Sequence, residues 1–424
     1  MQIKRLITTL LVALPVLAGC RTDETLNPPP APPVPSGGAL FQRYVSMGNS
    51  ITSGFQSAGI NDSTQQRSYA VLLSKAMGTS FVYPSLLGRG CPPPFVNNVT
   101  QARLGGGTST TCDLRASNVV PNNLAVPGAR VTEILSNFGV PFSSSNALTL
   151  LTLGGKTQLE RMTEQKPTFV SAWIGNNDVL ASLTSQANPG DPALITPLAQ
   201  FTAQYDSVLD AIDATGAKAV LISVADVTVI PYASKAAIWY CLKNGGCPPP
   251  LPPQNPALAG IPTFSVNVNC APIPPTGGGL AILVPWTIGL AKVNAAAHGT
   301  PSSIDCSVDN EVVTTAELTG LATAVGQFNA HIQAQAAARG MAYADVNSAL
   351  AALVANQSIP PFPDISGALV GTSVLFGPYF TLDGVHPSSL AHQLIADTVA
   401  SAINQKFGTT LQIPVCGTVS CPAP

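Results

Sequence analysis

Ser50 stands in the stretch YVSMGNSITSGF (44–55), where a glycine, an asparagine and a serine follow a short apolar run. A serine in that place either closes a turn or attacks an electrophile, and the local sequence does not decide between them. An attacking serine needs a base for its proton. The base needs an orienting partner, and the oxyanion that forms needs donors. The chain has four histidines: His298, His331, His386 and His392. His298 ends an alanine-rich run, while His331 and His392 fall inside helical patterns, where a packed or solvated face accounts for them. His386 lies in YFTLDGVHPSS, just ahead of the last helical pattern, with Asp383 three residues before it. A loop lets such a pair curl until the carboxylate meets the ring Nδ1–H. That contact fixes the tautomer and leaves Nε2 as the base. Alone, D-x-x-H is common, and its usual meaning is a turn aspartate near a helix start.

Residues so far apart in the chain need a scaffold to bring them together. Short apolar runs predict strands at RYVSM (43–47), NVVPNNLAV (118–126, broken), TFVSAWI (168–174), KAVLISVADV (218–227) and MAYADV (341–346). A further strand near YPS is only faintly signalled. Between them, apolar residues at helical spacing predict helices over 65–77, from 130, over 197–216, 315–340 and 386–407, two of them stopped by Gly216 and Gly340. Strands alternating with helices argue for a parallel sheet covered on both faces, with the site beyond the carboxyl ends of the strands.

Two stretches break the alternation. Residues 78–117 contain GRGCPPPF and LGGGTSTTC, and residues 228–314 contain CPPPLPPQNP and PIPPTGGG. Both read as insertions in one domain, since neither has sustained periodicity. GLAILVPWTIGLA (279–291) is apolar throughout and reads either as a buried flap, the commoner case, or as a lid that touches acyl chains.

The N-terminus, MQIKRLITTLLVALPVLAGC, has a basic start, an apolar segment of about 12 residues that is too short to span a bilayer, and small residues before Cys20. Leu-Ala-Gly-Cys resembles the bacterial lipobox, which implies cleavage after residue 19 and a diacylglycerol on the Cys20 sulfur. The proline-rich run that follows, NPPPAPPVPSGG, reads as a semi-rigid spacer. The expected organisation is a signal peptide at 1–19, a lipidated cysteine and tether at 20–40, the domain at 41–410 and a tail at 411–424.

Eight cysteines remain: Cys91, Cys112, Cys241, Cys247, Cys270, Cys306, Cys416 and Cys421. An even number in an exported chain suggests disulfides, and eight allow 105 pairings. Pairing of neighbours in sequence is the simplest of these (91–112, 241–247, 270–306, 416–421). No cysteine or histidine spacing points to zinc, and neither metal nor organic cofactor is expected. Charged residues are only 9% of the chain and the net charge is −2, so nothing suggests a nucleic-acid partner.

GNSI after the first strand, NLAVPGA after a later one, IGNND after the strand at 168–174 and DGVHPS before the final helix occur in this order. The set resembles the SGNH hydrolases, the GDSL lipase and esterase family, over residues 43 to about 407. The resemblance implies a three-layer α/β/α, flavodoxin-like fold with a central parallel sheet of about five strands and disulfide-stapled insertions. It implies Ser50 as nucleophile, His386 as base and Asp383 as triad acid. The amides of Ser50 and Gly128 and the side chain of Asn177 would form the oxyanion hole. Gly128 leaves room for close approach, and Gly175 can form the turn that swings Asn177 inward. Asn49 stands where the family has an aspartate, and Ile51 where it has a leucine.

The expected function is therefore cleavage of carboxylic acyl esters outside the cytoplasm by a monomer held through its lipid to the cell envelope. Arg21 after Cys20 lacks the aspartate that retains lipoproteins at the inner membrane, which points to the outer membrane or the periplasm. Two alternatives remain open: hydrolysis or transfer of carbohydrate O-acyl groups, and a non-catalytic surface lipoprotein on the same fold.

Overall fold

The computed structural model describes residues 38–86, 88–107, 120–136, 152–272 and 278–413. The signal peptide, Cys20, the tether up to residue 37, Cys112, Cys416 and Cys421 lie outside them.

The run Tyr44–Gly48 forms β1, buried at every position as a strand covered on both faces should be. Helix α1 (Ser50–Ser53) follows at once, then α2 (Asp62–Gln65) and α3 (Tyr69–Met77). Ser68 starts α3 by accepting from the N–H of Val71, and Gly78 stops it in the left-handed region. No strand forms at YPS (83–85). The first insertion instead holds an antiparallel hairpin, β2 (Phe95–Asn97) and β3 (Ala102–Arg103). Next come α4 (Val131–Leu135), α5 (Gln158–Gln165), β4 (Phe169–Trp173), α6 (Asn176–Leu183), α7 (Leu198–Thr215) and β5 (Lys218–Ile222).

The second insertion contributes β6 (Ala233–Lys235), α8 (Ala236–Asn244), β7 (Phe264–Val266), β8 (Leu283–Pro285), α9 (Trp286–Ala297) and β9 (Ser302–Ile304). The chain then returns to the sheet through α10 (Thr315–Ala338), β10 (Ala342–Ala344), α11 (Val346–Ala355) and α12 (Ser389–Phe407).

Strands β1, β4, β5 and β10 pair in that order, all parallel. Residues 122–126 add a fifth position beyond β1. Leu124 N–H donates to Ser46 O and Val126 N–H to Gly48 O, while Ser46 N–H donates to Asn122 O. This is the broken strand of the sequence, reduced to a single bridge at Asn123.

Side chains alternate across the sheet, as the pleat requires. Val45, Met47, Val170, Ala172, Ala219 and Leu221 face one core, packed by Phe201 and Tyr205 of α7 and by Phe328 and Ile332 of α10. Tyr44, Phe169, Trp173, Val220 and Ile222 face the other, packed by Leu72 and Leu73 of α3 and by Val399 and Ile403 of α12. The result is a three-layer α/β/α fold around a parallel sheet. Leu411 and Ile413, just beyond α12, are buried in the second core.

The second insertion is no loose decoration. Trp239, Phe264 and Val284 belong to the first core. The apolar stretch at 279–291 becomes β8 and the start of α9, with Leu283, Val284, Trp286 and Leu290 buried, the flap of the two readings. Disulfides Cys241–Cys247 and Cys270–Cys306 staple it, as sequence-near pairing expects. Cys91 is disulfide-bonded as well.

Candidate active site

Three loops leave the carboxyl ends of neighbouring sheet segments and a fourth precedes α12, and they carry the motif residues. The first leaves β1. Gln158 clamps its start from α5: Gly48 N–H donates to Gln158 Oε1 and Gln158 Nε2 donates back to Gly48 O, both at 2.9 Å. Asn49 then caps α1 by accepting from the N–H of Ile51 at 3.1 Å, which makes Ser50 the first helical residue. Ser50 is 6% exposed. Where the family carries an aspartate, the fully buried Asn49 both accepts this bond and donates from Nδ2 to Asn176 Oδ1 at 3.3 Å. An ionised aspartate could accept but not donate.

The second and third loops meet each other. After the edge segment 122–126 the chain turns at Gly128, whose φ of +84° lies in the left-handed region. After β4 it turns at Gly175, with φ +115°; a Cβ there would sit 2.6 Å from Val224 Cγ2 and 3.1 Å from the Phe201 ring. Glycine is therefore required, and α6 starts immediately after it. Asn177 Nδ2 donates to the carbonyl of Ala129 at 2.9 Å, which joins it to the Gly128 turn and leaves its second N–H uncommitted. Asp178, wholly buried, holds the same turn from behind. It accepts from the N–H of Val131, first residue of α4, at 3.0 Å and from the hydroxyl of Thr196 at 2.8 Å. Burial pushes the Asp178 carboxyl up to about 6 against the pull of these two bonds.

The fourth loop precedes α12 and is built around one carboxylate. His386 Nδ1–H donates to Asp383 Oδ2 at 2.8 Å, while the backbone N–H groups of Val385 and His386 and the hydroxyl of Thr381 donate to Oδ1. Ala58 N–H, from the loop that follows α1, adds a bond to Oδ2 at 2.6 Å. Burial alone would raise this carboxyl, but the charge and hydrogen bond of His386, with the backbone bonds, outweigh it and hold Asp383 at about 2.

The Ser50 and His386 loops are thus bolted together. Ser57 N–H donates to Thr381 Oγ1 at 2.9 Å, and the Phe55 ring packs on the His386 ring at 4.9 Å. Ser57 and Ala58 are both held at φ +52°, a left-handed conformation that costs a non-glycine residue on the order of 1 kcal/mol or more. Their bonds to Thr381 and Asp383 offset that cost. No hydrogen bond joins Ser50 Oγ to His386 Nε2.

Several supporting residues carry no signal in the sequence. Arg103 on β3 donates to the carbonyls of Ala58 and Pro93 at 2.8 and 2.7 Å, with its guanidinium over the Phe95 ring. Asn98 donates to the carbonyls of Val374 and Leu382 at 2.8 and 2.6 Å. The first insertion therefore props both sides of the Asp383 junction. His392 is buried on α12; its Nδ1 accepts from Tyr69 N–H, and burial, aided by the charge of His386, lowers it to about 3. It is neutral at any ordinary pH. His331 pairs with Asp206 across α10 and α7, and His298 bonds back to Asn294 O within its own helix. Among the described residues no cluster of three or more histidine, cysteine, aspartate or glutamate side chains is placed to hold a metal ion.

The comparisons with known proteins bear on most of the chain. An extracellular lipase from Streptomyces rimosus is 16% identical, covering 85% of this chain and 99% of its own, with a TM-score of 0.37. A catalytic mutant of an acetylxylan esterase from Geobacillus stearothermophilus is 11% identical, covering 88% and 97%, with a TM-score of 0.36. No curated protein matches the sequence. The family described as GDSL-like Lipase/Acylhydrolase matches residues 44–399, from the first residue of β1 into α12. The chain belongs to that family and is a hydrolase of ester bonds.

Proposed function

We propose that this chain cleaves carboxylic acyl esters through an acyl-enzyme on Ser50. Ser50 Oγ attacks the ester carbonyl while His386 Nε2 takes its proton. The tetrahedral oxyanion accepts hydrogen bonds from the amides of Ser50 and Gly128 and from the uncommitted N–H of Asn177. Collapse expels the alcohol, which receives the proton from His386. Water, deprotonated by the same imidazole, then releases the acid. Asp383 stays ionised throughout, holds the tautomer with Nε2 free, and stabilises the imidazolium.

One observation carries the reading: the Asp383–His386 pair, at 2.8 Å, is docked by Ser57 and Ala58 onto the loop leaving the helix that Ser50 begins. The test compares wild type with Ser50→Ala on nitrophenyl esters and labels both with a fluorophosphonate. Wild type is expected to be labelled and active, and the variant neither. A folded Ser50→Ala protein that keeps its turnover ends the proposal.

The same proposal places the enzyme on the cell envelope as a monomer, anchored by acyl chains at Cys20 after loss of residues 1–19. Two or more chains would hold it stably, each buried methylene contributing about 0.8 kcal/mol. In cells fed a clickable fatty acid, wild type is expected to carry label in the membrane fraction. Cys20→Ser is expected to lose both the label and the membrane association.

A further inference from the structure

The ester's acyl group needs a place beside Ser50, and one part of the molecule fits that need. An open cavity of about 90 Å³ is lined by residues next in sequence to Ser50 and His386. Its near wall is Ile51, the residue after Ser50, with Val385 and Pro387 on either side of His386. Its far wall comes from α11 and α12, through Ala349, Leu350 and Leu394. No charged side chain lines it, and the hydroxyl of Thr398 is already engaged with Leu394 O at 2.9 Å. Besides the Tyr379 hydroxyl and the Trp173 indole N–H the lining is apolar, and it favours a saturated chain.

Ile230 closes one end. It is buried, and it also lines a second, larger groove of about 750 Å³ among Pro248, Pro249 and Pro250 of the second insertion. One side chain thus lines both the small cavity and the larger groove.

We propose that the small cavity is the acyl subsite, that it takes an unbranched acyl group of about four carbons, and that Ile230 is the stop that sets this length. The inference rests on the reading of Ser50 and His386 as the reacting pair. A space of about 90 Å³ equals the share of about three waters at roughly 30 Å³ each, and a methyl or methylene group is of similar size. With the carbonyl carbon at Ser50, three further carbons fill it. Each methylene buried there raises kcat/KM about fourfold.

The experiment measures kcat/KM on nitrophenyl acetate, butyrate and octanoate for wild type, Ala349→Phe and Ile230→Ala. Wild type is expected to favour butyrate over acetate about fifteenfold and to gain nothing further with octanoate. Ala349→Phe puts a ring into the cavity from a half-buried helical position, and the butyrate-to-acetate ratio should fall to about one. Ile230→Ala opens the trough, and the octanoate-to-butyrate ratio should rise at least fivefold. Ala349→Phe is independent of whether Ile230→Ala folds. If wild type cleaves none of the three and fluorophosphonate fails to label Ser50, the hydrolase reading itself falls. If activity depends on Ser50 but both ratios are the same in all three proteins, the acyl-subsite inference alone is overturned.

Discussion

The parallel sheet and the second insertion share one core but are held by different means. The sheet is a set of continuous apolar strands sandwiched between helices; its stability comes from area removed from water, and none of its strands carries a cysteine. The insertion has two-stranded sheets of three-residue strands, β6 with β8 and β7 with β9, and two disulfides, one tying α8 to the loop after it and one joining the segments that follow β7 and β9. Strands that short cannot stand alone. The motif residues all lie outside the insertion, with Ser50, Gly128 and Asn177 just beyond sheet segments and Asp383 and His386 in the loop before α12. The insertion is expected to govern stability and substrate shape, and the sheet the chemistry.

The division can be attacked from both sides. The largest effect is expected at the sheet's loops: His386→Ala should lower kcat on the order of 10⁴–10⁶-fold, with an unchanged circular dichroism spectrum. A loss under tenfold would take the base away from this loop. Next, Asn177→Ala should cost about 10²–10³ in kcat with little change in KM, since its free N–H matters only once the oxyanion forms. An effect on KM alone would make Asn177 a substrate-binding residue.

On the insertion's side, replacing Cys270 and Cys306 by serine opens a loop with a sequence separation of 36 and should cost roughly 4 kcal/mol. The same change at Cys241 and Cys247, with a separation of 6, should cost roughly 2 kcal/mol. Denaturant midpoints measure both, and kcat on an acetyl ester should stay within about twofold. A tenfold fall in kcat would show that the insertion also holds the reacting groups.

The smallest effect concerns pH. Because burial raises Asp178 to about 6, its folded state holds the proton more tightly than the unfolded chain, whose carboxyl titrates near 3.9. Its contribution to stability is full below pH 4 and is lost as pH rises through 6. Asp178→Asn should flatten that part of the Tm–pH curve. Asp383 has the opposite sign. Held at about 2, it stabilises above pH 4 and loses that contribution as pH falls through 2. An Asp178→Asn curve parallel to wild type between pH 4 and 6 would place the ionisation elsewhere.

Most of the frame was legible in the sequence because periodicity reports burial directly. The runs at 43–47 and 168–174 could be nothing but covered strands, and glycines marked the ends of α7 and α10. Asp383 and His386 were legible as a pair because they stand three positions apart in one loop. What could not be read is what only packing creates. Asn98 and Arg103 sit in a proline- and glycine-rich stretch with no period, yet they reach the Asp383 loop and Ala58. Asp178 looked like a neighbour of Asn177, but on a helix adjacent side chains point apart, and it turns inward to hold α4. His392 had a helical pattern around it and no mark that it would be wholly buried.

The bonds from Ser57 and Ala58 to Thr381 and Asp383 have a consequence in time. The serine is made early, but the loop that would activate it is made more than three hundred residues later. On the proposed reading of Ser50 and His386, the nascent polypeptide is inert towards esters until the last helix has been synthesised and packed. Any protease that trims the chain before residue 381 returns it to that state.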